Sequence, residues 1–139
     1  MCTAKFGAGL RSLRSRRDEF RLVIQSYSRI AALVPWSLER ALKSLGMDHA
    51  DILLLGLWNK VVSPGIFDQA LRLRERCLIR AIAVSTHNRP HAAAIANHNG
   101  NVDVLHVRYN GVHPGAERDI FPKLTSSNRW LCSHRKEAT

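Results

Sequence analysis

Three of the seven histidines have a spacing that metal ligands use. His87, His91 and His98 occur at i, i+4 and i+11, so a helix would place them on one face. A pair spaced HxxxH indicates zinc chemistry chiefly within HExxH, where a glutamate supplies the general base. No acidic residue or cysteine accompanies these histidines. We therefore expect them to be solvated surface residues, and we expect no metal site.

Motifs of other reaction types are absent from the sequence. It contains no GxSxG of a serine hydrolase, no GxxxxGK[ST] phosphate loop and no GxGxxG after its first predicted strand. Its three cysteines, Cys2, Cys77 and Cys132, lie far apart without a CxxC pair. Such an odd and scattered set is typical of free thiols in a reducing compartment, so we expect a cytoplasmic protein.

The composition is that of an ordinary globular protein. Apolar residues make up 45% and charged residues 23% of the 139 residues. No apolar run approaches the roughly 20 residues that cross a bilayer, so we expect no membrane segment. The net charge of +10 is compatible with RNA binding, but the basic residues are dispersed and no recognition motif accompanies them. We expect no nucleic-acid partner and keep a basic RNA-binding module only as an alternative.

The apolar pattern alternates between strands and helices along the chain. Strands are predicted over 20–26, 51–58, 79–85 and 102–109, and helices over 35–45, from Pro64, over 90–97 and over 115–124, after a short N-terminal helix. This alternation predicts a parallel sheet with right-handed crossovers, though it does not separate a piece of a barrel from a doubly wound sheet. Residues 125–139 are polar and basic without periodicity, and we interpret them as a tail.

Capping residues and apolar stripes support the predicted helices. A stripe at helical spacing runs along helix 35–45: Leu38, Ala41, Leu42 and Leu45. A second stripe marks the helix that begins at Pro64: Ile66, Ala70, Leu73 and Cys77. Gly46 suits the C-terminal cap of the first of these helices, Ser63 the N-cap of the second, and Asn88 the N-cap of the helix that follows.

Three informative segments lie within the stretch from Trp36 to Leu124, about two thirds of the chain: SLERALKSLGMDHADILLLGLWN, LIRAIAVSTHN and VLHVRYNGVHPGAERDIFPKL. Together these segments resemble the middle of an aldo-keto reductase, an NADPH-dependent oxidoreductase built on a (β/α)8 barrel. Within the last of them, VRYNGVHPGAER resembles VRYN-LLHRGAER of one branch of that family. Six residues carry this match: Arg108, Tyr109, Asn110, His113, Glu117 and Arg118.

The resemblance implies an α/β fold that is part of a TIM barrel. A complete barrel needs at least about 200 residues. We therefore expect a partial barrel of about four β/α units with parallel strands over residues 1–124, followed by the polar tail 125–139. Strands taken from a closed barrel leave two open edges, and we expect either self-association through them or a marginally folded chain.

The catalytic group of that family is altered in this sequence. The family uses an Asp, a Tyr, a Lys and a His, of which the Asp and Tyr are expected to lie before the first residue of this chain. At the position that matches the Lys, VIQSYSR has Tyr27, and at the position that matches the His, DILLLGLW has Gly56. A phenol near a cation can act as an acid. We nevertheless interpret Tyr27 as a half-buried residue at a strand end, and Gly56 has no side chain to offer.

The positions that the family uses for its cofactor are partly kept. The resemblance implies NADP, with contacts to the nicotinamide carboxamide from the ends of two strands. AVSTHN keeps the family's Ser as Ser85 and has Thr86 in place of Asn, while VLHVRYN has His106 in place of Gln. All three side chains offer hydrogen-bonding groups. The alternative role of Ser85 is that of a helix cap or strand-end residue.

The parent function that the resemblance implies is the reduction of a small carbonyl compound by hydride transfer from NADPH. Because the catalytic positions are altered, we expect this chain to be truncated or degenerate and inactive alone. The alternative is a non-catalytic nucleotide-binding or scaffold protein on the same fold.

Overall fold

Strands and helices alternate through the part of the chain that the computed structural model describes, residues 4–97, 101–124 and 130–133. Five α-helices lie within these residues: α1 (Ala4–Ser12), α2 (Leu33–Leu45), α3 (Pro64–Glu75), α4 (Arg89–Asn97) and α5 (Gly115–Asp119). The same residues contain five strands: β1 (Val23–Ser26), β2 (Ala50–Leu55), β3 (Ile79–Thr86), β4 (Val104–Val107) and β5 (Trp130–Ser133). Short 3-10 helices follow α1 and α5, at Arg14–Glu19 and Phe121–Lys123. No helix in these ranges is long and apolar enough to cross a bilayer.

The strand order in the sheet follows the chain, β1-β2-β3-β4-β5. β3 pairs in parallel with β4, with Ala83 opposite Val104 and Thr86 opposite Val107. β4 pairs in parallel with β5. The predicted α/β class, with parallel strands that alternate with helices, is confirmed. Because the pairing is parallel, the carboxyl ends of β3, β4 and β5 meet at one edge of the sheet.

Helix α2 forms as its apolar spacing predicts. Its buried stripe consists of Val34, Leu38, Leu42 and Leu45. Ala41, which was expected in the stripe, is half-buried. Gly46 ends the helix with a φ of 67°, and its N–H donates to the carbonyl oxygens of Leu42 and Lys43. The predicted cap is confirmed, since glycine adopts this left-handed conformation without steric cost.

Helix α3 begins where it was predicted, but its N-cap and the end of its buried stripe differ from the prediction. Pro64 is its first residue, as expected, but the Ser63 side chain makes no capping hydrogen bond. The interior of the predicted stripe is buried: Ile66, Ala70 and Leu73. Cys77 lies beyond the helix, is exposed and has a φ of 58°. Its predicted place in the buried stripe is wrong, because the left-handed turn after Glu75 ends the helical periodicity.

Three strands are shorter than the apolar runs that predict them: β1 begins at Val23 instead of at residue 20, and β2 and β4 end early. β2 ends at Leu55, because Leu57 has a φ of 55° and cannot continue an extended strand. β4 ends at Val107, because the chain then enters a turn around Asn110. The Oδ1 atom of Asn110 accepts hydrogen bonds from the backbone N–H groups two and three residues later.

The sequence pattern does not predict β5. Trp130–Ser133 lies within 125–139, the segment interpreted as a polar tail, yet it pairs with β4. The tail interpretation is therefore wrong at these residues. A strand this short gives too few positions for an alternating pattern to appear. The rest of 125–139 lies outside the described residues.

A buried carboxylate organises the first of two compact units, which comprises residues 1–53 and 63–80. Asp51 Oδ2 accepts hydrogen bonds of 2.7 Å from Arg17 Nη2 and from the N–H of Leu22. Arg80 Nη1 lies 3.6 Å from Asp51 Oδ1. Burial acts to raise the pKa of Asp51, but the two hydrogen bonds and the two arginine charges outweigh burial and lower the pKa.

An apolar cluster forms the core of the second unit, which comprises residues 54–62 and 81–139. Its buried members come from α4, β4 and α5 and the residue after it: Ala92, Ala96, Leu105, Val107, Ala116 and Ile120. Leu105 and Val107 are two positions apart on β4 and therefore project from the same face. The cluster fixes the two helices on that face and leaves His106 on the other.

Candidate functional site

Ser85 and His106 lie side by side at the carboxyl ends of β3 and β4. The parallel register pairs one with the other. Neighbouring strands are about 4.8 Å apart, and paired residues project from the same face. Ser85 is only 6% exposed, and His106 is half-buried. A hydroxyl and an imidazole are thus adjacent on the face of the sheet opposite the apolar cluster.

Thr86 lies on the other face of the sheet. It pairs with Val107, a member of the apolar cluster, and successive side chains of a strand alternate between faces. Its hydroxyl is engaged locally, because Oγ1 donates to Asn59 Oδ1 at 3.2 Å and accepts from the N–H of Asn88 at 3.0 Å. The structure therefore brings Ser85 and His106 together and separates Thr86 from them.

Asn59 holds the loop that follows β3. Besides the Thr86 hydroxyl, its Oδ1 accepts the N–H of His87 at 2.9 Å, and its carbonyl oxygen accepts Asn88 Nδ2 at 3.2 Å. The preceding residue, Trp58, donates its backbone N–H to the carbonyl oxygen of Ser85 at 2.7 Å. Sequence reasoning missed Asn59. The available signal was an Asn shortly after a buried strand, since Asn side chains commonly bond to loop backbone.

Asn88 caps α4 as predicted. Its Oδ1 accepts the N–H of His91 at 3.1 Å. The spacing of His87 and His91 suggested that they share one face of a helix. This expectation is wrong, because α4 begins at Arg89 and His87 therefore precedes it. His87 is exposed, whereas His91 is half-buried, and His98 lies outside the described residues. Among the described residues, no three His, Cys, Asp or Glu side chains are grouped to hold a metal ion.

Tyr27 and Gly56 occupy the positions that the family resemblance assigns to a Lys and a His. Tyr27 follows the last residue of β1 and is 58% exposed, so the expectation of a half-buried side chain is wrong. Gly56 follows β2 and is buried. Neither residue provides the cation or the imidazole that the family has there.

The VRYNGVHPGAER segment serves to build the turn before α5. Tyr109 Oη donates to Glu117 Oε1, and this hydrogen bond raises the pKa of Tyr109. The Tyr109 ring also meets Phe121 edge to face, with 5.2 Å between ring centroids. Together with the side-chain bonds of Asn110, these contacts give the segment an architectural role.

The comparison with known proteins gives a likeness of fold. No protein-family model matches the sequence, and no curated protein sequence matches it. An aldo-keto reductase of Bombyx mori in complex with NADP is similar with a TM-score of 0.72 at 16% identity, over 94% of this chain and 47% of that one. An aldo/keto reductase from Klebsiella pneumoniae in complex with NADP and acetate is similar with a TM-score of 0.72 at 20% identity, over 93% of this chain and 48% of that one. The holo form of an aldo-keto reductase from Bacillus halodurans has a TM-score of 0.61 at 16% identity, over 74% of this chain and 40% of that one.

This chain thus spans about half the length of these solved structures, or less. Their low sequence identities make the likeness one of backbone architecture, and the partial barrel that the sequence motifs predict is confirmed. The chain has the fold of roughly half of an aldo-keto reductase barrel.

Proposed function

We propose that this chain binds NADP(H) on the face of the sheet that carries Ser85 and His106, and that it does not reduce carbonyl compounds by itself. Its parent function is the NADPH-linked reduction of small carbonyl compounds. One observation carries the proposal. A buried hydroxyl and an imidazole are adjacent at the carboxyl ends of paired strands, the end at which barrel enzymes place their sites. Two similar structures are complexes with NADP.

Ser85 and His106 fit a carboxamide. A hydroxyl both donates and accepts hydrogen bonds, and a neutral imidazole has one donor and one acceptor nitrogen. A carboxamide presents an NH2 donor beside a carbonyl acceptor, so the pair would hold the nicotinamide carboxamide. Bound NADPH supplies a hydride. Thr86 would support the loop rather than contact the cofactor, because its hydroxyl is bonded to Asn59 and Asn88.

Tyr27 and Gly56 support the absence of turnover. A glycine cannot orient a substrate carbonyl, and a phenol in place of a lysine brings no positive charge to tune a proton donor. Catalytic residues that act as a group lose most of their rate enhancement when single members are removed. Binding would therefore survive in this chain while chemistry does not.

Calorimetric titration with NADPH tests the binding site. We expect Ser85→Ala to weaken NADPH binding by about tenfold, the usual effect of losing a hydrogen bond in a buried site. Ser37→Ala is the matched control, because Ser37 Oγ donates to the carbonyl oxygen of Val34 within α2. Equal affinities for wild type and Ser85→Ala would remove Ser85 from the site. No binding by the wild type would favour the scaffold alternative.

NADPH oxidation in the presence of simple aldehydes tests the second half of the proposal. We expect no turnover above the background of free NADPH, because the two family positions hold Tyr27 and Gly56. A turnover number of about 1 per second or more, which is within the ordinary enzyme range, would show that other residues complete the chemistry.

A further inference from the structure

We propose that a basic cleft in the second unit binds a small organic oxyanion, either a carboxylate or a phosphate monoester. The cleft has a volume of about 220 Å³ and lies at the carboxyl ends of β3 and β4, next to α4. Thr86 and Val107 line it, so it opens on the face of the sheet opposite Ser85 and His106. This site is therefore independent of the NADP(H) binding proposed above.

The cleft combines an apolar floor with a basic rim. Its floor consists of three buried side chains, none more than 3% exposed: Ala92, Val107 and Ile120. Its rim consists of two arginines and two histidines: His87, Arg89, Arg108 and His113. Sites for small organic molecules combine an apolar surface with polar groups that orient the ligand. Five of the eight lining residues here are polar or basic, which suits an anionic ligand. The planar guanidinium group of arginine matches the geometry of carboxylate and phosphate oxygens.

The rim carries more positive charge than nearby acids neutralise. The side chain of Arg108 makes no hydrogen bond or ion pair to any residue in the described ranges. Arg89 Nε lies 3.3 Å from Asp119 Oδ2. Arg118 and Lys123 also act on that carboxylate, and the hydrogen bond from Arg118 is the largest cause of its lowered pKa. One carboxylate is thus shared by three cations, and a bound anion would balance the remaining charge.

Gly115 allows Arg89 to take its place at the rim. A Cβ atom at position 115 would lie 1.5 Å from Arg89 Nη1 and 2.7 Å from its Cζ. The backbone of Gly115 does not have a positive φ, so another residue would not be strained there. The glycine therefore provides room for the guanidinium, and an alanine would displace that group without removing its charge.

The size of the cleft limits the ligand. Pockets for drug-sized molecules have volumes of about 300 Å³ and more, so this cleft suits a compact anion. The anionic group would meet Arg89 and Arg108, and a short apolar body would cover Val107 and Ile120. Among the described residues, no Phe, Tyr or Trp lines the cleft.

Calorimetric titration of the wild-type protein with inorganic phosphate and, separately, with butyrate tests the proposal, at constant ionic strength set with chloride. We expect saturable binding of at least one probe, and the tighter probe identifies the preferred oxyanion. Arg108→Gln and Gly115→Ala should each weaken that binding by about tenfold or more, because each removes or displaces a charge-assisted hydrogen bond.

Two control variants make the test specific. Arg72→Gln removes the same charge from an exposed arginine of α3 that does not line the cleft and has no ion pair among the described residues. We expect Arg72→Gln and Ser85→Ala to leave the affinity for the probe unchanged. Thermal melts show whether each variant is folded. If Arg108→Gln does not fold, the affinity of Gly115→Ala for the probe decides the test. Lack of saturable binding of both probes, or equal affinities for wild type and the folded cleft variants, would overturn the proposal.

Discussion

The two units use arginine in different ways. In the first unit, Arg17 and Arg80 surround Asp51, whose side chain is 5% exposed. In the second unit, Arg89 shares one carboxylate with other cations, and Arg108 has no acidic partner among the described residues. An arginine paired with a buried acid holds the fold together, because loss of either partner leaves a buried charge. An arginine at the rim of a cleft without such a partner is available to a ligand. In the sequence, both kinds of arginine are simply dispersed basic residues. Only their acidic partners in the structure distinguish one kind from the other.

The largest expected effect comes from removing the acid at the centre of the first unit. Asp51→Asn should lower the free energy of unfolding by about 3 kcal/mol or more, because it leaves the guanidinium of Arg17 without a counter-charge in a largely buried place. Urea unfolding measures this change. Glu19→Gln is the control, since Glu19 pairs with Arg16 on the surface, and it should leave the unfolding midpoint unchanged. Equal midpoints for wild type and Asp51→Asn would end the contrast between the two units.

The unfolding free energies of wild type and Asp51→Asn at different pH values make this prediction more specific. The folded-state pKa of Asp51 is lowered, so its contribution to stability is complete above its unfolded pKa, about 3.9, and is lost as the pH falls through the folded value. The gap in unfolding free energy between wild type and Asp51→Asn should be constant from about pH 7 to pH 5 and should narrow below about pH 4. A gap that widened on acidification would contradict the assignment.

The smallest expected effect comes from Arg108, which has no acidic partner among the described residues. Arg108→Gln should change the free energy of unfolding by less than about 0.5 kcal/mol, as is usual for an exposed residue outside any network. The same urea experiment measures it beside Asp51→Asn. A large destabilisation by Arg108→Gln would show that Arg108 supports the fold, and would weaken the case for it as a binding residue.

Local patterns predict where α2 and α4 lie, but they extend α5 to Leu124, five residues beyond its end at Asp119. The stripe of α2 and its end at Gly46, and the cap of α4 at Asn88, follow from residue types within a few positions of each other. The carboxyl ends of the strands are less predictable. The apolar run 51–58 continues past Leu55, and only the left-handed backbone of Leu57 shows that β2 has ended. The strand β5 has too few residues to give a pattern.

The candidate site depends on information that no local pattern contains. Ser85 and Thr86 are adjacent in the sequence and equivalent as hydrogen-bonding residues. Their side chains alternate between the two faces of the sheet, and the register pairs Ser85, and not Thr86, with His106. The role of Asn59 as the support of the loop after β3 depends on contacts made 27 and more residues along the chain. The family resemblance identifies the positions, and the register decides which of them act together.

The binding of NADPH by the face that carries Ser85 and His106 is the central claim, and chemical-shift mapping tests it most directly. NADPH is titrated into uniformly 15N-labelled wild-type protein, and the backbone amide signals are followed. We predict saturable shifts centred on Ser85 and His106, which lie at the carboxyl ends of β3 and β4. An absence of shifts, or shifts confined to Arg89 and Arg108 at the basic cleft, would contradict the claim.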